Sequence, residues 1–136
     1  MLRRGVLGKE DVAVGETLNN LAVCYYMRGA CNKAVELYEE ALQIFIAHAQ
    51  GSEEHPMVVL TYYNMALAYQ QLDVPQTQGV LRKAMLLAEM VFGEEHEVTA
   101  LIRETFLKQV RQSLPEEAGK AAAAARANRV GPAKKG

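Results

Sequence analysis

The string Asn19-Asn20-Leu21-Ala22-Val23-Cys24-Tyr25 echoes downstream as Tyr63-Asn64-Met65-Ala66-Leu67-Ala68-Tyr69. Asn20 falls on Asn64, Ala22 on Ala66 and Tyr25 on Tyr69, an interval of 44 residues each time. Two further landmarks recur at nearly that interval. Gly51-Ser52-Glu53-Glu54-His55 returns as Gly93-Glu94-Glu95-His96, and Tyr38-Glu39-Glu40-Ala41-Leu42 returns as Leu81-Arg82-Lys83-Ala84-Met85. A self-similar unit of this length is too small to bury its apolar face alone and must stack on its neighbours. It points to stacked helical pairs, not to a closed enzyme fold, and so to a surface that binds another chain.

The spacing of apolar residues places five helices. Val14, Leu18, Leu21, Ala22 and Tyr25 recur at helical intervals and predict an amphipathic helix from Val12 to Arg28. Gly29 stops it, and Asn32 is suited to cap the next, which runs to about Ala49 and buries Ala34, Leu37, Tyr38, Ala41, Leu42 and Phe45. Pro56 suits the first turn of a third helix ending near Leu72, because its missing N–H costs nothing there. After the break at Asp73-Val74-Pro75, a fourth helix over Gln76 to Val91 buries Val80, Leu81, Ala84, Met85 and Ala88. A fifth, Glu97 to Ser113, carries Val98, Leu101, Ile102, Thr105, Phe106 and Val110 on its apolar side.

Composition fits one modest domain. The chain has 136 residues, half of them apolar, and no apolar run approaches the roughly 18 residues that span a membrane. Arg3 and Arg4 suit a short mitochondrial presequence, but Glu10 and Asp11 follow closely and argue against one. Cys24 and Cys31 are too few for a disulfide framework and have no metal-type spacing, so they read as free thiols of an intracellular, cytoplasmic chain. The net charge of −1 hides an asymmetry. All 16 acidic residues lie in residues 1–117 against 10 Lys and Arg, whereas residues 118–136 carry five basic residues and no acid. Ala121 to Ala125 offer no large apolar group to bury. The expected organisation is an extension over residues 1–10, a helical repeat domain over 11–113, and an alanine-rich basic tail over 114–136, disordered or weakly helical.

Leu18, Leu21, Ala22 and Tyr25, followed by Ala34, Tyr38 and Ala41, match the residue types and spacing of the tetratricopeptide repeat, and the chain resembles that family. The small residues let paired helices approach, and the tyrosines fill the gaps between pairs. The second unit supplies Tyr62, Met65, Ala66, Tyr69 and Ala84, but puts Thr77 and Leu81 where the family has alanine and an aromatic. The unit length, the Leu18-Asn19-Asn20-Leu21-Ala22 string and the loop ending in His55-Pro56 resemble the long-repeat variety of kinesin light chains. The resemblance implies an all-α, right-handed helical-repeat solenoid of antiparallel helix pairs, and leaves association with mitochondria or the cytoskeleton open. The fifth helix departs from the pattern at Leu107 and Val110, and Arg103, Glu104, Lys108, Arg111 and Gln112 give it a polar face. Two units plus a C-terminal capping helix are expected.

The resemblance also implies that the first helix of each pair lines a concave groove. Its residues are then Asn19, Asn20, Val23, Tyr26 and Met27, with Tyr63, Asn64, Leu67, Gln70 and Gln71, and with Lys108 and Arg111 at the far end. Carboxamides both donate and accept, so a row of them suits the backbone of an extended peptide, and Tyr26, Met27 and Tyr63 add apolar area. For Asn20 and Asn64 peptide contact is the favoured reading, with tying neighbouring helices as its competitor, and Lys108 and Arg111 fit either an acidic ligand end or a solvated face. A clamp for a C-terminal carboxylate, known in another branch of the family, does not fit, since its asparagine falls at Val23 and Leu67.

Chemistry is thinly provided. The two Glu-Glu-His strings mark one loop twice, His48 stands alone, and neither cysteine has a histidine close in sequence. The tail lacks aromatics for stacking on bases. The sequence therefore describes a non-catalytic protein–protein adaptor with no cofactor or metal, no specific nucleic acid and no membrane insertion. The alternatives are a structural or self-associating subunit of a larger complex, or a piece of a longer repeat protein.

Overall fold

The computed structural model describes residues 8–114, which form five helices and no strand among them. They are α1 (Gly8–Met27), α2 (Cys31–His48), α3 (Pro56–Leu72), α4 (Gln76–Val91) and α5 (Glu97–Ser113). Each helix packs on the next in chain order, and α1 also touches α3. This is an all-α helical-repeat solenoid. The readings of Arg3 and Arg4 and of the tail beyond Leu114 lie outside the described residues.

The helix ends explain the turns. Gly29 is left-handed at φ 85°, and the turn closes with Ala30 N–H on the Tyr25 carbonyl at 2.9 Å and Gly29 N–H on Tyr26 at 3.0 Å. Those two bonds satisfy carbonyls that a helix C-terminus otherwise leaves bare. Two departures from expectation follow at the first pair. Asn32 does not cap α2: the helix already begins at Cys31 after Ala30, without a side-chain cap bond. The tight turn starts the helix one residue early, with Ala34 N–H on the Ala30 carbonyl at 3.1 Å. Also, α1 begins at Gly8, ahead of the expected Val12.

Pro56 does sit in the first turn of α3. The residue that caps that helix is His55, whose Nδ1 accepts from Met57 N–H at 3.1 Å. His96 repeats the arrangement at α5, accepting from Val98 N–H at 3.0 Å. The recurring Glu-Glu-His string is therefore a histidine cap used twice.

One apolar cluster joins Ala22, Ala34, Tyr38, Ala41, Leu42, Phe45, Val58, Met65 and Ala68, and a second joins Val59, Ala84, Leu87, Ala88 and Ile102. The small residues at the contacts are required by closeness. A Cβ on Gly15 would lie 2.9 Å from the Phe45 ring. Thr77 and Leu81, the substituted positions of the second unit, are both buried. Val80 and Met85, expected in the core, are only half-buried, and three further expected core residues lie open. Val14 and Leu21 on α1 and Leu101 on α5 are exposed. The outer helix is correspondingly less polar than expected, since Leu107 and Leu114 are exposed with Lys108, Arg111 and Gln112.

Candidate binding face on the first helices of each pair

Helices α1, α3 and α5 lie side by side. Tyr63 Oη and Thr105 Oγ1 are 3.0 Å apart, and Gln70 Nε2 donates to Gln109 Oε1 at 3.2 Å, so polar side chains tie α3 to α5. Two of the expected groove residues, Tyr63 and Gln70, thus also hold the array together. Asn19, Val23, Tyr26, Asn64 and Leu67 are half-buried, whereas Asn20, Met27 and Gln71 are exposed. The Oδ1 atom of Asn19 is buried without a hydrogen-bond partner among the described residues. Buried acceptors are nearly always paired, so this one stands out.

Tyr26, Met27 and Gln71 converge with Gly29, Cys31 and Leu72 on a cleft of about 420 Å³. The cleft sits where the C-terminal turns of α1 and α3 meet the start of α2. Sequence reasoning missed Gly29, Cys31 and Leu72. They belong to a turn and two helix ends, and only the packing of α3 against the first pair brings them together. At the far end, Lys108 pairs with Glu104 at 3.6 Å and Arg111 Nε donates to the Leu107 carbonyl at 3.4 Å. Both cations are exposed and, among the described residues, engaged only within their own helix, and such pairs hold a side chain weakly.

A second polar cluster was not foreseen. Tyr62 Oη donates to the Glu53 carboxylate, Lys83 Nζ lies 2.9 Å from the same carboxylate, and that ammonium stands 4.9 Å from the Tyr62 ring centroid. The hydrogen bond from Tyr62, then the one from Lys83, lowers the Glu53 pKa. Burial, then the bond to Glu53, raises that of Tyr62, and the bond to Glu53 raises that of Lys83. The cluster fastens the α2–α3 loop to α3 and α4. Its members are far apart in sequence, and neither periodicity nor a motif joins them.

Among the described residues, no three His, Cys, Asp or Glu side chains are grouped to hold a metal, and no helix is long and apolar enough to cross a membrane. Residues 2–47 match the family model described as tetratricopeptide repeat. The first helical pair is thus similar to a tetratricopeptide repeat. The matched span covers the first pair, and the echo at Asn64-Met65-Ala66-Leu67-Ala68-Tyr69 carries the pattern into α3. Tetratricopeptide repeats generally mediate protein–protein interactions and are typically non-catalytic. No curated protein matches the chain.

Proposed function

We propose that this chain is a tetratricopeptide repeat protein, a non-catalytic cytoplasmic adaptor of the kinesin-light-chain-like, long-repeat kind. It binds a peptide or protein segment along the face shared by α1, α3 and α5. The observation that carries the reading is the cleft. Three residues expected to contact a partner, Tyr26, Met27 and Gln71, come from two helices and meet on one concavity. An aromatic ring, a thioether and a carboxamide supply apolar anchoring beside a group that both donates and accepts. Asn20 and Asn64 continue the polar row along α1 and α3, and Lys108 and Arg111 end it on α5.

A photo-crosslinking side chain at Met27 or Gln71 tests this directly. A crosslink to one defined segment of a partner supports the face, and crosslinks spread over many unrelated chains count against it. The paired variant Asn20→Ala with Asn64→Ala is expected to weaken capture of that partner while leaving far-ultraviolet circular dichroism unchanged. Undiminished capture by the variant would remove the carboxamides from the proposed site.

A further inference from the structure

The caps of α3 and α5 hold the backbone in a form that acid removes. An imidazole nitrogen accepts a hydrogen bond only while it carries no proton. His55 Nδ1 accepts from Met57 N–H at 3.1 Å and His96 Nδ1 from Val98 N–H at 3.0 Å, which puts the proton of each neutral ring on Nε2. Serine, threonine, asparagine and aspartate are the usual caps. Histidine is the side chain whose charge ordinarily changes between about pH 5 and 8. Neither α2 nor α4 has a side-chain cap, so among the described residues the capping chemistry recurs only as histidine, at matched places in the two units. The His55 ring is half-buried and the His96 ring exposed, so solvent protons reach both. At α3 the first turn is fully accounted for. Pro56 has no N–H, Val58 and Val59 N–H bond the His55 carbonyl at 3.0 and 3.1 Å, and Met57 N–H has the ring. At α5 the His96 ring also stacks on Phe92, with centroids 4.8 Å apart.

We propose that His55 and His96 form a paired acid-sensitive device. A proton taken up at Nδ1 turns the acceptor into a donor, breaks the cap and frees the first turns of α3 and α5 together. The charges around the rings do not restore what is lost. Beside His55, Glu53 is already bound by Tyr62 of α3 and Lys83 of α4, Glu54 is exposed, His48 ends α2, and the first turn of α3 has no acid. His96 follows Glu94 and Glu95 and precedes Glu97, while Arg103 of α5 donates to the Glu94 carbonyl at 3.0 Å and pairs with Glu89 of α4 at 3.7 Å. An imidazolium at His96 gains exposed ion pairs, which are weak. At either site it meets the positive end of a helix, which opposes it. The inference stands on the caps and not on the proposed binding face, so either can fail alone.

Nitrogen-15 NMR of the imidazoles in the full chain tests the starting state. Both rings should be in the Nε2–H form at neutral pH, and the amide resonances of Met57 and Val98 should move with their own ring as it takes up a proton. Urea unfolding tests the consequence. Between about pH 8 and 5 the folding equilibrium constant of the native chain should fall, relative to the variant His55→Asn with His96→Asn, on the order of tenfold or more, because asparagine caps without titrating. His48→Asn should keep the native response, and each single cap variant should keep part of it. An Nδ1–H tautomer at neutral pH overturns the inference, as do Met57 and Val98 amides that ignore the titration of the rings. A double variant that loses stability in step with the native chain overturns it too. If the double variant does not fold, the tautomer and amide measurements on the native chain decide.

Discussion

Single residues show where helix propensity yields to packing. Gly15 and Gly79 both lie inside helices. Alanine at Gly79 meets nothing within 4 Å, so Gly79→Ala should raise stability by about 1 kcal/mol. Alanine at Gly15 drives a methyl group to 2.9 Å from the buried Phe45 ring and 3.2 Å from Ile44. Overpacking costs about 1–3 kcal/mol and exceeds the propensity gain, so Gly15→Ala should lower the melting temperature. A thermal melt of the two variants side by side checks the pair, and equal shifts would count against the close contact. His55→Ala and His96→Ala each remove a cap and should cost about 1 kcal/mol in denaturant unfolding, with His55→Asp retaining most of it. Tyr38, almost wholly buried, has its pKa pushed from 10.0 up to about 12, first by burial and then by nearby Tyr26 and Cys31. A folded value above the unfolded one means that stability is intact below pH 10.0 and drains away as the pH rises towards about 12. Absorbance titration should find one phenol ionising last, and Tyr38→Phe should lessen the alkaline loss.

Among elements, the informative comparison is between helices that share a pattern and differ in surroundings. The spacing on α2 picks out Ala34, Leu37, Tyr38, Ala41, Leu42 and Phe45, all buried, because a helix covered on several sides realises its whole apolar face. The same kind of spacing on α1 includes Val14 and Leu21, which stay exposed, because periodicity reports that a stripe exists and not whether a neighbour covers it. Element bounds were legible for α4 and α5, whose predicted spans agree with Gln76–Val91 and Glu97–Ser113. The start of α2 was not, since the turn at Gly29 sets it and no side-chain cap does. The link between elements at Glu53, Tyr62 and Lys83 gives a pH-dependent prediction. The Glu53 pKa lies below its ordinary 4.5, through the hydrogen bond from Tyr62 and then that from Lys83. The stability contributed by its carboxylate is therefore present above the unfolded pKa and lost as the pH falls through the folded one. Glu53→Gln should be less stable than the native chain at neutral pH, and the gap should narrow as the pH falls below 4.5. A constant gap across an acid titration of unfolding midpoints would show that the carboxylate charge contributes nothing.

For the whole molecule, the echo of Asn20, Ala22 and Tyr25 at Asn64, Ala66 and Tyr69 determined the helical pairs, their order and the residues small enough to let them meet. Those properties are local or periodic, so they can be read along the chain. The same string marked out Tyr26, Met27 and Gln71 as candidates for partner contact, but nothing in it joined them to Gly29, Cys31 and Leu72 in one cleft. Nor did it show that Tyr63 and Gln70 reach across to Thr105 and Gln109, since those bonds bridge helices whose register is set only when α5 packs on α4. The tertiary structure alone decided which copies of a repeated stripe are covered. Val14 and Val58 are the same residue at the same place in the repeat, one exposed and one sealed, because burial depends on the neighbouring helix and not on the residue that carries the pattern.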